Sequence, residues 1–207
     1  MRLSRTRLTS AAVCVGAGLL LGLAGPVAGR FDNCACEALS VLFSGGWPWV
    51  GYAFLVGYCR RSGKESALLA ALGLVVGVVT YYLFKQMYPA VPAGAEPGPS
   101  AAVGISPQIL LWGTAALVFG APVGFVGNLA RTPGIGGLFF RLLVPLTACI
   151  ETTQRLRGEA DAQHPVLGFT WAASRAAACV AGAWIVGHTA WRWWRGRGGV
   201  RAPVDRV

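Results

Sequence analysis

Apolar stretches close to the length of a bilayer crossing recur along this chain, and the connectors and terminal segments around them carry most of its basic residues. A helix rises about 1.5 Å per residue, so roughly 20 apolar residues cross a hydrocarbon core about 30 Å thick. On that measure the pattern predicts six membrane helices, at about 9–29, 38–59, 66–84, 107–127, 139–156 and 165–191. The expected fold is therefore all-α, a polytopic membrane helix bundle forming a single membrane domain over residues 1–207.

The six runs differ in what interrupts them. Residues 9–29 follow Arg2, Arg5 and Arg7 and read either as a signal peptide cleaved after Gly29 or as a first span. Two pairs spaced by four, Gly18 with Gly22 and Gly25 with Gly29, suit close helix packing. Within 38–59 the segment Ser44-Gly45-Gly46-Trp47-Pro48 predicts a break, because glycine loosens a helix and proline lacks an amide hydrogen. Two readings of that break stand side by side: a discontinuous spanning helix, or an interfacial helix over 33–43 joined by a turn to a short crossing. The third run is cleanly apolar, carries Gly73 and Gly77, and ends in Tyr81, Tyr82, Lys85 and Tyr88, an interfacial belt.

Residues 89–106 change to Pro, Ala, Gly and Ser and predict a flexible outer loop. The fourth run holds Trp112, Gly120 and Gly124, with a kink expected at Pro122. The fifth is the least regular: residues 132–137 are rich in Pro and Gly and Arg141 comes early, so its helix is placed from about 139 to 156, with Glu151 inside the membrane. The sixth contains Arg175 and ends in aromatic and basic anchors before a basic tail over 192–207.

Composition sharpens this picture. Hydrophobic residues make up 55% of the 207 and charged ones 13%, against about 25% charged in a soluble domain, which leaves no water-facing surface to build. The net charge of +10 would suit nucleic acid on a soluble protein, but the basic residues lie beside apolar runs, so nucleic acid is not an expected partner. With the N-terminus cytoplasmic, thirteen of the eighteen basic residues fall inside: Arg2, Arg5, Arg7, Arg60, Arg61, Lys64, Arg131, Arg141, Arg192, Arg195, Arg197, Arg201 and Arg206. Arg30, Lys85, Arg155 and Arg157 fall outside and Arg175 within a helix. The expectation is a multi-pass plasma-membrane protein with both termini cytoplasmic, whose partners are the bilayer, anionic lipid at the C-terminal tail and other helices in an oligomer.

Two blocks of residues carry a resemblance. Ser44-Gly45-Gly46-Trp47-Pro48-Trp49, then Ala53-Phe54-Leu55-Val56-Gly57 and Gly77 to Tyr82, form the first. Phe119-Gly120-Ala121-Pro122-Val123-Gly124, then Gly127, Arg131, Glu151 and Leu156, form the second. Together they cover most of 38–157, and the chain resembles an actinobacterial family of small multi-pass membrane proteins whose domain has no known function. The family pattern has an Asn-Ser-Gly break before a tryptophan; here Phe43 stands in place of the Asn. The resemblance implies several membrane helices and no activity.

The features able to carry chemistry are few. Glu151 and Arg175 are charges inside membrane runs, where each costs at least about 2.5–3.5 kcal/mol on insertion scales and so calls for a partner. They lie equally far from the connection near Gln163, so an antiparallel hairpin brings both to similar depth, as an ion pair or as a substrate site. Ser44, Gly45 and Gly46 form the second candidate, since a helix beginning inside the membrane offers backbone amides to a ligand. Ser44 with His188 as nucleophile and base is disfavoured, because the two fall toward opposite ends of the membrane. Cys34 and Cys36 lack a companion pair for a metal, His164 is a lone loop histidine, and the six cysteines predict no disulfide framework. No catalytic residue, cofactor or metal site is expected. The leading expectation is a non-enzymatic membrane component; the alternative is a small-molecule or ion transporter using the Glu151 and Arg175 pair.

Overall fold

The computed structural model describes residues 2–89, 105–158 and 165–198, with side chains placed over 8–89, 105–158 and 165–195. Most of the expected outer loop, His164 and the end of the basic tail lie outside the described residues. Among those described, all regular structure is helical: α1 (Arg2–Ala28), α2 (Cys34–Ser44), α3 (Trp47–Tyr58), α4 (Gly63–Met87), α5 (Pro107–Leu129), α6 (Ile135–Arg141), α7 (Leu143–Gly158) and α8 (Pro165–Gly198). Five helical stretches are long and apolar enough to cross a membrane, α6 and α7 counting together, and α2 with α3 makes a sixth candidate bent by 67°. The molecule is a helical membrane bundle.

The directions of the helices decide how that bent pair is to be read. A Cβ on Gly18 would collide with the Gly73 carbonyl, and one on Gly22 with the Gly77 carbonyl. Both sequences rise together, so α1 and α4 run parallel. An even number of chain reversals must separate two parallel neighbours, so α2 and α3 jointly carry the chain back across. Their contacts agree: Gly25 and Gly29 of α1 meet Phe43 and Ser40 of α2, and Tyr52 of α3 donates from its hydroxyl to the Cys14 carbonyl at 2.6 Å. The pair is one broken span rather than a loop that re-emerges on the side it entered. We call the side where α1 begins the near side. The chain then crosses six times, and α8 ends on the near side.

Small residues make these approaches. Apolar side chains gain nothing by leaving lipid for protein, so membrane helices associate through close packing and hydrogen bonds. The glycine pairs of α1 and α4 face each other, while Gly124 of α5 lies against Ala70 and Ser66 of α4 and against Gly57 of α3. The buried cluster is correspondingly small-featured, built from Cys14, Ala53, Val56, Ala70, Leu74, Val78 and Ala116. Ser66 is fully buried and donates to the carbonyls of Ser62 and Gly57 at 2.8 and 3.2 Å, tying α3 to the start of α4. Large apolar residues such as Leu68, Leu110, Phe139 and Trp184 remain exposed, as suits a surface facing lipid.

Several helix ends lie beyond the sequence expectation. The fifth crossing begins at Ile135 rather than near 139, because Gly134 adopts φ 77 and turns the chain directly into α6. The early charge there is consumed locally: Arg141 donates from Nε to the Ala130 carbonyl at 2.8 Å and from a terminal nitrogen to the Thr132 carbonyl at 2.7 Å. It thereby closes the end of α5 instead of interrupting the span. The last helix continues past 191 to Gly198, with Arg195 stacked 4.0 Å above Trp191 one turn earlier. Pro26 and Pro122 lie within continuous helices.

Candidate functional site

The break between α2 and α3 interrupts a candidate span, and lipid supplies no hydrogen-bonding groups, so the backbone there calls for partners from the protein. On the α2 side the Val41 carbonyl accepts from the Ser44 hydroxyl at 2.8 Å and the Leu42 carbonyl from Gly45 N at 3.2 Å. The Phe43 carbonyl accepts from the Trp49 indole at 3.1 Å. On the α3 side Pro48 has no amide hydrogen, and the amides of Trp49 and Val50 both donate to the Gly46 carbonyl at 3.1 Å. Two amides remain, those of Gly46 and Trp47. Each donates to one oxygen of the Glu151 carboxylate at 2.7 Å. A side chain of α7 therefore caps α3 from across the bundle, where α3 has no side-chain cap of its own.

Charge and space both favour this arrangement. The N-terminal end of a helix carries roughly half a positive charge, so a carboxylate is well placed against it. A Cβ on Gly45 would come within 3.3 Å of one carboxylate oxygen, and one on Gly46 within 3.4 Å of the other, so glycines leave the room the carboxylate occupies. Arg155, one turn further along α7, approaches Glu151 Oε1 to 3.7 Å and stacks 5.3 Å above the ring of Trp171 from α8. Trp171 is 1% exposed and touches the Gly45 position, so α2, α7 and α8 converge on the break. Counted along α7, Glu151 lies about 10 Å below the far end of its helix.

The two candidate groups read from the sequence thus meet each other: Glu151 is held by Gly46, beside Ser44 and Gly45. Arg175 is placed elsewhere. Pro145 faces Gly182, the sulfurs of Cys149 and Cys179 lie 3.5 Å apart, and Arg155 covers Trp171, a register that sets Arg175 level with Glu151. Yet Arg175 is exposed on α8, nearer Cys149. Equal depth does not fix the direction in which a side chain points, and the ion pair of Glu151 is with Arg155 instead. By its place in the sequence Arg155 is an outer flanking charge, and its spacing of four from Glu151 is the signal for the pair.

Beside the break lies a cavity of about 460 Å³, within the range of small-molecule sites. Its far end holds Ser44, Glu151, Arg155, Tyr81 and Tyr82, and its body is apolar, lined by Trp49, Leu74, Trp112, Ala116 and Phe119. The walls come from the end of α2 and from α3, α4, α5 and α7. Among the described residues α5 and α7 make no contact with each other, and Trp112 and Phe119 are 52% and 67% exposed, so the cavity opens sideways between these helices.

The remaining candidates are accounted for by local structure. Asn33 caps α2 by accepting from Cys36 N at 2.9 Å and donates to the Cys36 sulfur at 3.3 Å. His188 lies between the rings of Trp184 and Trp191 on α8, toward the near side and far from Ser44. Among the described residues no group of three or more His, Cys, Asp or Glu could hold a metal ion. No protein-family model matches the chain, and no curated protein or solved structure is found to be similar to it.

Proposed function

We propose that this chain is a non-enzymatic component of the plasma membrane, of the kind suggested by the actinobacterial resemblance, in which Glu151 fastens a broken span to the bundle. The observation that carries this reading is the use of both Glu151 oxygens by backbone amides at 2.7 Å. A carboxylate so engaged serves to hold helices together. The near side is assigned to the cytoplasm, because the basic connectors and the start of the tail lie there. The tail, residues 192–207, then rests against anionic lipid headgroups. The glycines spaced four apart in α1, α4 and α5 pack against other helices of the same chain.

The cavity beside the break favours a second reading, a small transporter in which Glu151 carries a proton or cation. Replacing Glu151 by Gln separates the two. In the structural reading the variant unfolds at lower denaturant concentration in detergent micelles, and variant and wild type show equal proton and sodium uptake into proteoliposomes, at the level of empty vesicles. A variant as stable as the wild type but deficient in uptake overturns the structural reading in favour of transport.

A further inference from the structure

The lateral cavity has a chemistry that the fastening role of Glu151 leaves unexplained. It is open to the bilayer, its body is aromatic and aliphatic, and its polar groups are gathered at one end, toward the far face. Glu151 is the sole acid among its described lining residues. Against that one negative charge stand Arg155, which lines the same end, and the amino end of α3 with its roughly half positive charge. Lys85 adds to the rim: its Nζ lies 3.4 Å from the hydroxyl of Tyr81, another lining residue, and 5.2 Å from that ring. Among the described residues, Arg155 and Lys85 thus stand against Glu151 alone at the polar end, while the body is apolar.

From this distribution we infer that the cavity is a binding site for a membrane lipid with an anionic phosphate headgroup. The lipid enters between α5 and α7, its headgroup lies beside Arg155 and one acyl chain lies along Trp112, Ala116 and Phe119. The opening between two helices that do not touch gives access from the bilayer without water crossing the membrane. A zwitterionic lipid offers the same chain but adds a positive group to an end where, among the described residues, basic groups outnumber the single acid. The 460 Å³ volume suits part of one lipid rather than a pair.

The full chain in detergent micelles, incubated with equal amounts of phosphatidylglycerol and phosphatidylcholine and examined by native mass spectrometry, tests this. The expected result is one retained phosphatidylglycerol per chain, favoured about tenfold or more over phosphatidylcholine. Ala115→Trp, on the cavity wall, should lose the lipid. Leu110→Trp, on the exposed face of α5, should keep it. Arg155→Gln should reduce the preference for the anionic lipid severalfold, with phosphatidylcholine retention unchanged. Unfolding midpoints measured in parallel identify any variant that fails to fold, and Phe119→Trp at the exposed mouth then replaces Ala115→Trp. Equal retention of the two lipids, retention in both cavity variants, or displacement of the lipid by millimolar inorganic phosphate would each overturn the inference.

Discussion

Glu151 shows how far a single residue can be read before its surroundings are known. Its presence inside an apolar run demanded a partner, and that demand is physical rather than statistical. The partner was harder to see. Arg175 was level with it, but the deciding donors were backbone amides that only a break in the second span sets free. Removing the carboxylate by Glu151→Ala leaves both amides without their acceptors, and a loss of about 1–3 kcal/mol is expected. Arg155→Gln, which removes a half-exposed charge one turn away, should cost less than about 1 kcal/mol. Equilibrium unfolding in mixed micelles measures both, and equal losses would contradict the capping role.

At the scale of elements, the glycines were legible and their partners were not. Spacing by four marks a face that another backbone can approach, but any such face could meet any other. Here the α1 pair meets the α4 pair, and Gly57 of α3 meets Gly124 of α5, where a Cβ has no room beside the carbonyl. Gly57→Ala should therefore destabilise by about 1–3 kcal/mol through overpacking. Gly113 is a useful contrast, since nothing lies within 4 Å of an added Cβ, and Gly113→Ala should stabilise α5 by up to about 1 kcal/mol. Thermal unfolding of the two variants gives shifts of opposite sign. The break at Ser44 to Pro48 was also legible, because glycine and proline weaken a helix wherever they fall. The start of α6 was not: residues 132–137 have loop composition, and only the positive φ of Gly134 shows the chain turning at once into helix.

For the whole molecule, six crossings followed from the lengths of the apolar runs, and the parallel pairing of α1 with α4 supplies an independent reason for the same number. What length could not provide was the order of neighbours around the bundle, and hence the cavity left where α5 and α7 stay apart. An even number of crossings with a basic near face predicts that a reporter active only in the cytoplasm, fused after Val207, is active, and that one fused within the 89–106 connection is silent. The reverse pattern would invert the assignment of sides.

The reach of Glu151 has a consequence for biosynthesis. Its acceptor oxygens and the amide of Gly46 are separated by 105 positions, so the second span enters the membrane well before its cap has been made. At about 5–20 residues per second, the interval is roughly 5–20 s. Throughout it the half-helices α2 and α3 hold two unsatisfied donors, and the nascent bundle completes its second crossing only when its fifth arrives. Chains arrested after Leu142 should therefore show a cysteine in place of Ser44 open to water-soluble cysteine reagents, and chains extended past Gly158 should show it closed.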